Sequence, residues 1–304
     1  MATYSWNTKI RHDSDANFRL WGAEIQTALL AVGCTQTADT GQINWTTVTR
    51  AATNSDAGYE IYYINDSLHS TAPVYFKVYY GTAGGASAPR LKIEVGTGSN
   101  GSGTITGGNT AAIVGYNSTV TFNTDTTYTS YCGLTNGCLV LANKVGRIST
   151  NFALQGFIIA RTCDSAGAAN ADGVMLIKCP ATNSFAPQVQ VCRFATPSAG
   201  WATNFGGSSS FGVWTAPLSE VTSVDENGAN QMWLLFAQCL RVRPWSTLAG
   251  YRIAEITAFT TVSGVALVGS TTYTFLALDI GLGPAFASLG GGISTSYGLF
   301  VVYQ

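Results

Sequence analysis

The chain has 304 residues, enough for one large β domain or two smaller ones around a substantial core. Only 10% of them are charged and the formal net charge is −1, while 46% are hydrophobic and 12% aromatic. This excludes a disordered chain, which needs low hydrophobicity and high charge, and a nucleic-acid binder, which needs a basic stripe. The densest basic clusters, Lys9/Arg11 and Arg241/Arg243, fall short of such a stripe. A surface this poor in charge is covered by Ser, Thr, Asn, Gly and Tyr, or by neighbouring subunits.

Residues 1–13 alternate Tyr4, Trp6 and Ile10 with polar neighbours at the period of a strand. They hold no basic run followed by an apolar core, so no secretory signal is expected. No run of 18 apolar residues occurs, so no membrane insertion is expected. Synthesis in a cytoplasm is the corresponding expectation. The seven cysteines (Cys34, Cys132, Cys138, Cys163, Cys179, Cys192, Cys239) then read as reduced, buried small hydrophobes. Their odd count speaks against a complete disulfide framework, although Cys132 and Cys138 in CGLTNGC would close a small loop if oxidised.

Residues 14–33 predict an amphipathic helix. Phe18, Trp21, Ile25, Leu29 and Val32 recur at spacings of three and four, so they share one face. Asp15 is placed to cap the start and Gly33 to end it. The stretch 34–58 is polar and Thr-rich, with Ile43, Trp45 and Val48 marking a short strand or a docked loop. Strands follow at 59–65, 73–80 and 90–96, an antiparallel meander against which the helix buries its core face of Phe18, Trp21, Ile25 and Leu29. In the middle strand Val74, Phe76 and Val78 lie on one side, and Tyr75, Lys77 and Tyr79 on the other.

The Gly/Ser-rich segment GTGSNGSGTITGGNT at 96–110 reads as an extended arm or hinge. It divides a helix-plus-meander mounting domain at 1–107 from a β-rich, sandwich-like domain at 108–304. A hairpin tip inside one domain is the alternative. Further strands are expected at 111–122, 137–147, 151–161, 173–179, 188–194, 232–242, 251–262, 264–269, 271–279 and 297–303. NFALQGFIIAR and GVMLIKC read as buried on both faces. Between 195 and 231 periodicity disappears, yet Trp201, Phe205, Phe211 and Trp214 mark this loop as a contact surface. The fold class is thus mainly β, with antiparallel sandwich-like sheets and one N-terminal helix packed on a meander.

Reactive chemistry is hard to assemble from these residues. Gly96, Gly98 and Gly101 satisfy G-x-G-x-x-G after a strand, but SGTITGGNT cannot open the helix that a dinucleotide site requires. His12, beside Asp13 and Asp15, reads as a surface histidine at the start of the helix, with a general base or metal ligand as the alternative. His69 lies in a turn and reads as solvent-facing. No C-x-x-C pair supports a zinc site. Glu60, Glu94, Glu220, Asp225, Glu226, Glu255 and Asp279 form a pool of carboxylates from which spacing selects no glycosidase pair. Glu255, a charge inside an apolar strand, is expected to pair with Arg241, Arg243 or Arg252. No catalytic residue, metal site or cofactor is expected. Trp201, Trp214 and Tyr116 suit stacking on a glycan, and equally a subunit interface.

Five segments carry a family resemblance: Phe18 to Gly22 (F-R-x-W-G), Thr37 to Ile43 (T-A-D-T-G-Q-I), Tyr59 to Asp66 (Y-E-I-Y-Y-I-N-D), Thr71 to Lys77 (T-A-P-V-Y-F-K) and Val95 to Gly103 (V-G-T-G-S-N-G-S-G). Over about the first 110 residues the chain resembles virion structural proteins of tailed bacteriophages. The resemblance implies a virion part that associates with itself and with other virion proteins, without an enzymatic activity. Tail positions (baseplate, fibre or spike) lead, with a neck collar or capsid decoration protein beside them. A host surface glycan is a further possible partner. No catalytic residues come with the resemblance.

Overall fold

The structure, a computed structural model, describes residues 2–8, 12–84, 88–109, 111–114, 128–135, 137–148, 151–163, 169–178, 188–193, 232–235, 242–245, 261–267, 271–277 and 300–302. They form a mainly β protein with antiparallel sheets and a single helix near the N-terminus. Strand β1 (Ala2–Thr8) leads into helix α1 (Asp15–Ala31), followed by the short β2 (Cys34–Gln36). Then come β3 (Asp56–Ile64), β4 (Tyr75–Thr82), β5 (Pro89–Gly96), the small hairpin β6 (Gly98–Ser99) and β7 (Ile105–Thr106), and β8 (Ala112–Val114). Strands β9 (Tyr128–Thr135), β10 (Cys138–Ile148), β11 (Asn151–Cys163), β12 (Ala169–Lys178) and β13 (Gln188–Arg193) follow. Last are β14 (Met232–Leu235), β15 (Val242–Trp245), β16 (Thr261–Leu267), β17 (Thr271–Ala277) and β18 (Phe300–Val302).

Two sheets share one core. The first has the order β2-β3-β4-β5-β8 and contains the expected meander; the second has the order β1-β9-β10-β11-β12-β13. Helix α1 connects β1, at an edge of the second sheet, to β2, at an edge of the first. It therefore bridges one margin of the sandwich. Alternation along the strands sends Tyr62, Ile64, Phe76, Val78, Tyr80, Leu91, Ile93 and Val95 of the first sheet inward. They meet Cys132, Leu139, Leu141, Phe157 and Ile159 of the second sheet, with Phe76 and Phe157 ring centroids 6.4 Å apart.

Phe18, Trp21, Ile25, Leu29 and Val32 of the helix are all buried in this core. At about 1.5–3 kcal/mol per large apolar side chain, that face contributes on the order of 10 kcal/mol before entropy is counted. The helix start lies one residue earlier than its composition suggested. Ser14, extended at φ −145° and ψ 161°, is the N-cap, and its Oγ accepts from the Asn17 amide at 3.2 Å. Asp15 is left free to accept the Arg50 amide at 2.9 Å, pinning the following loop. Gly33, at φ +101°, takes the left-handed conformation that ends the helix.

The boundary drawn between 107 and 108 is crossed by three kinds of tie. β8 completes the sheet that β3–β5 begin, and β1 pairs with β9 from Ala2↔Leu134 to Thr8↔Tyr128. Arg161 of β11 reaches the 66–72 loop through Asp66 and the Ala72 carbonyl. The Gly/Ser-rich segment is no arm: it folds back as the β6/β7 hairpin and docks on the first sheet. In β11, Phe157, Ile158, Ile159 and Ala160 are all buried, so both faces of that strand are covered. Strand β9 had no counterpart in the sequence reading. The single strand expected at 232–242 is corrected to two, since β14 and β15 pair antiparallel from Met232↔Trp245 to Leu235↔Val242. Pro244 lies in β15, an edge strand of this sheet, where proline is tolerated. The third sheet, β15-β14-β18-β17-β16, contains one parallel pairing, β14 with β18, which departs from a purely antiparallel fold.

Candidate interaction surface

Four of the five segments that carry the family resemblance, all but Phe18 to Gly22, meet at one place. Along the β3 edge, pairing runs from Cys34↔Ile64 to Gln36↔Tyr62 and continues when Thr37 N–H donates to the Ile61 carbonyl at 2.9 Å. The chain then leaves the sheet and returns at Ile43, whose N–H donates to the Tyr59 carbonyl. The Gln42 side chain fills the gap: its Oε1 accepts the Ile61 amide at 2.8 Å, as a strand carbonyl would. Its Nε2 donates to the Thr37 and Asp39 carbonyls, closing the excursion on itself.

The β6/β7 hairpin clamps this excursion. Asp39 Oδ1 accepts from Ser99 Oγ and from the Gly103 amide, and the Thr40 amide donates to the Gly101 carbonyl. Burial pushes the Asp39 carboxyl up, but these hydrogen bonds outweigh it and hold the group below its usual range. Lys77 Nζ donates to the Gly103 carbonyl at 2.6 Å and lies over the Tyr59 ring at 3.8 Å. Gly103 sits at φ +91°, and a Cβ there would overlap the Tyr59 hydroxyl. What looks like a dinucleotide fingerprint is therefore a buckle made of glycines.

Inside the sandwich lies a carboxylate held by neutral donors. Glu60 is fully buried; its Oε1 accepts from Gln26 Nε2 (2.6 Å) and Trp45 Nε1 (3.0 Å). Its Oε2 accepts from the Tyr62 and Tyr80 hydroxyls at 2.8 and 2.6 Å. Burial raises the Glu60 pKa, opposed by these four donors. Helix, loop and sheet are thereby joined through one acid. Trp45 reaches Glu60 by lying over Gly22, whose missing side chain leaves the space. It packs edge-on against Tyr80 at 4.8 Å. Full burial keeps substrates from Glu60, so the arrangement serves cohesion and not acid–base turnover.

His12 corrects the sequence expectation, because it is buried and not on the surface. Thr82 Oγ1 donates to the Ala51 carbonyl, so it accepts from His12 Nε2 at 3.0 Å. Burial first, and Arg50 second, lower the His12 pKa to about 4. This imidazole is neutral and structural at neutral pH. Among the described residues no group of three or more His, Cys, Asp or Glu is placed to hold a metal ion. Cys34, Cys132 and Cys138 are buried. Cys132 faces Leu141 and Cys138 faces Thr135 across the β9/β10 ladder, so the two do not oppose one another.

The outer face of the first sheet carries aromatic rings in partial contact with solvent. Tyr63 stacks on His69 at 4.3 Å and 23°, and Tyr75 packs against Tyr63 at 5.5 Å. His69 is thus half-buried in an aromatic cluster, not simply solvent-facing. Beside them Tyr59 and Tyr79 lie 6.2 Å apart, with Lys92 4.6 Å over Tyr79. The Tyr79 hydroxyl donates to Glu94 at 2.7 Å. Such a face offers flat apolar area rimmed by hydroxyls, suited to a protein partner or a sugar ring.

Phe18, Trp21, Ile25 and Leu29 are brought together in the core. Trp201, Phe205, Phe211 and Trp214 lie outside the described residues, as do Tyr116 and Glu255. Glu60 stands in the sequence only as one of a pool of carboxylates, although it carries the same signal as Glu255, a charge inside an apolar strand. The Asp66–Arg161 pair gave no signal, since 95 residues separate its members. No protein-family model, curated protein or solved structure matches this chain. Among the described residues no helix is long and apolar enough to cross a membrane.

Proposed function

We propose that the chain is a non-enzymatic structural component of a tailed bacteriophage particle, tail-associated (baseplate, fibre or spike) and assembled as a symmetric homo-oligomer. One observation carries the reading: all five segments of the resemblance are spent on mutual support. Phe18 and Trp21 fill the core, Gly22 admits Trp45, Gln42 and Asp39 are locked in place, and Asp66 holds Arg161. A motif set whose buried side chains go to packing and internal hydrogen bonds supports the reading of a rigid mount. The chain's scarcity of charge supports a surface that neighbours cover.

Cryo-electron microscopy of purified virions tests the assignment. Density for this chain at the baseplate or on fibres is the expected result. Density on the head or neck would make it a collar or decoration protein, and absence from the particle would sink the structural reading. A second reading, a host glycan adhesin, draws on the Tyr63–His69–Tyr75 cluster. It requires saturable binding to host surface polysaccharide, lost in Tyr63→Ala or Tyr75→Ala while assembly is unchanged.

A further inference from the structure

We infer that Asn100, in the turn of the β6/β7 hairpin, is a self-modification site: the Gly101 nitrogen converts its side-chain amide to a cyclic imide, assisted by Ser99 and two backbone amides. This chemistry is independent of the virion reading.

The carbonyl under attack is held as an oxyanion would be. Asn100 Oδ1 accepts from the Ser102 amide at 2.9 Å and from the Thr104 amide at 3.0 Å. Two backbone donors at that range stabilise the negative charge that develops on the oxygen when a nucleophile adds to Cγ. The nucleophile is next in the chain. Gly101 has no Cβ to shield its nitrogen, and its φ of +78° is one that other residues reach only with strain. Its N–H faces Ser99 Oγ in a long contact of 3.4 Å, and that hydroxyl donates to Asp39 Oδ1. Ser99 and Asp39 therefore offer a path for the amide proton, with the carboxylate as a general base acting through a hydroxyl.

The hairpin keeps these parts in register. The Asn100 amide donates to the Thr104 carbonyl at 3.0 Å, the Thr40 amide holds the Gly101 carbonyl, and the Gly103 amide holds Asp39. Electrophile, nucleophile and base are thus positioned before reaction, which an unfolded Asn-Gly pair lacks. Asn100 and Gly101 are exposed, so water arrives and the leaving group departs without hindrance.

The step balances without a cofactor. The Gly101 nitrogen bonds to Asn100 Cγ and the Cγ–Nδ2 bond breaks. The Gly101 proton passes through Ser99 to Asp39, and by way of solvent to the departing nitrogen, which leaves as ammonia. Water then opens the imide at either carbonyl, leaving aspartate or isoaspartate at position 100. Isoaspartate inserts a methylene into the backbone beside Gly101. The Gly101 carbonyl and the Gly103 amide then no longer both reach Thr40 and Asp39, and the buckle loosens as the protein ages.

Peptide mapping by mass spectrometry tests the site, with the full chain incubated at neutral pH both folded and in urea. The sequence has three Asn-Gly pairs, and the other two, at Asn136 and Asn227, serve as references outside the described residues. Asn100 is expected to turn to acid about tenfold or more faster folded than in urea, where donors and base are dispersed. S99A is expected to remove most of that advantage with circular dichroism unchanged. S99T, which restores the hydroxyl, is expected to return it. A folded rate equal to or below the rate in urea would overturn the proposal, because the hairpin would then protect Asn100. So would a folded rate that S99A leaves intact.

Discussion

Two buried polar centres hold this sandwich together, and they are built on opposite principles. Glu60 is a charge met by four neutral donors, all within 34 residues along the chain and all in the helix, loop and sheet of the first half. Arg161 and Asp66 are a bidentate ion pair at 2.6 and 2.8 Å, joining the second sheet to a loop of the first across 95 residues. Neutral donors spread a charge over several elements and set their mutual orientation. An ion pair gives a strong attachment at a single point, at the cost of desolvating both partners. The first device organises a layer; the second fastens two layers together.

The largest expected effect comes from removing half of the ion pair. Asp66→Asn leaves Arg161 buried without its counter-charge, which costs roughly 3–5 kcal/mol. Chemical denaturation should show that loss, and a change within 1 kcal/mol of native would mean the layers are held by apolar contact alone.

Glu60→Gln is expected to cost less, about 1–3 kcal/mol in all, because the Tyr62 and Tyr80 hydroxyls can turn to accept from the new amide. Its pH dependence separates it from the first variant. A carboxyl whose folded pKa is raised binds its proton more tightly folded than unfolded. Native stability therefore falls as pH rises from the ordinary value of 4.5 through the raised one. The advantage of the native chain over Glu60→Gln should be greatest at acidic pH and shrink through that window. A constant difference across the titration would mean that Glu60 is not perturbed.

Gly22→Ala probes the same centre indirectly. The new Cβ would overlap the Trp45 indole and push it from Glu60, an overpacking cost of about 1–3 kcal/mol. Altered tryptophan fluorescence should accompany the lower melting temperature. The smallest effect is expected at Ser14→Ala, where losing the cap costs about 1 kcal/mol while both polar centres stay intact. A null result there would hand the capping role to Asp15.

The sequence by itself determined the elements whose signals are local. The spacing of Phe18, Trp21, Ile25 and Leu29 gave the helix and its buried face, and alternation in 73–80 separated Phe76 and Val78 from Tyr75 and Tyr79. Gly33 marked the helix end because left-handed backbone favours glycine there. Only the tertiary structure decided what those elements enclose. That 96–109 is a buckle and not a hinge depends on Asp39 and Lys77, brought to it by sheet pairing from distant parts of the chain. His12 becomes a neutral core residue only once Thr82 lies beside it, 70 positions later. Periodicity records which face of an element is apolar, but it does not record which polar group waits there. That choice is made when the sheets close.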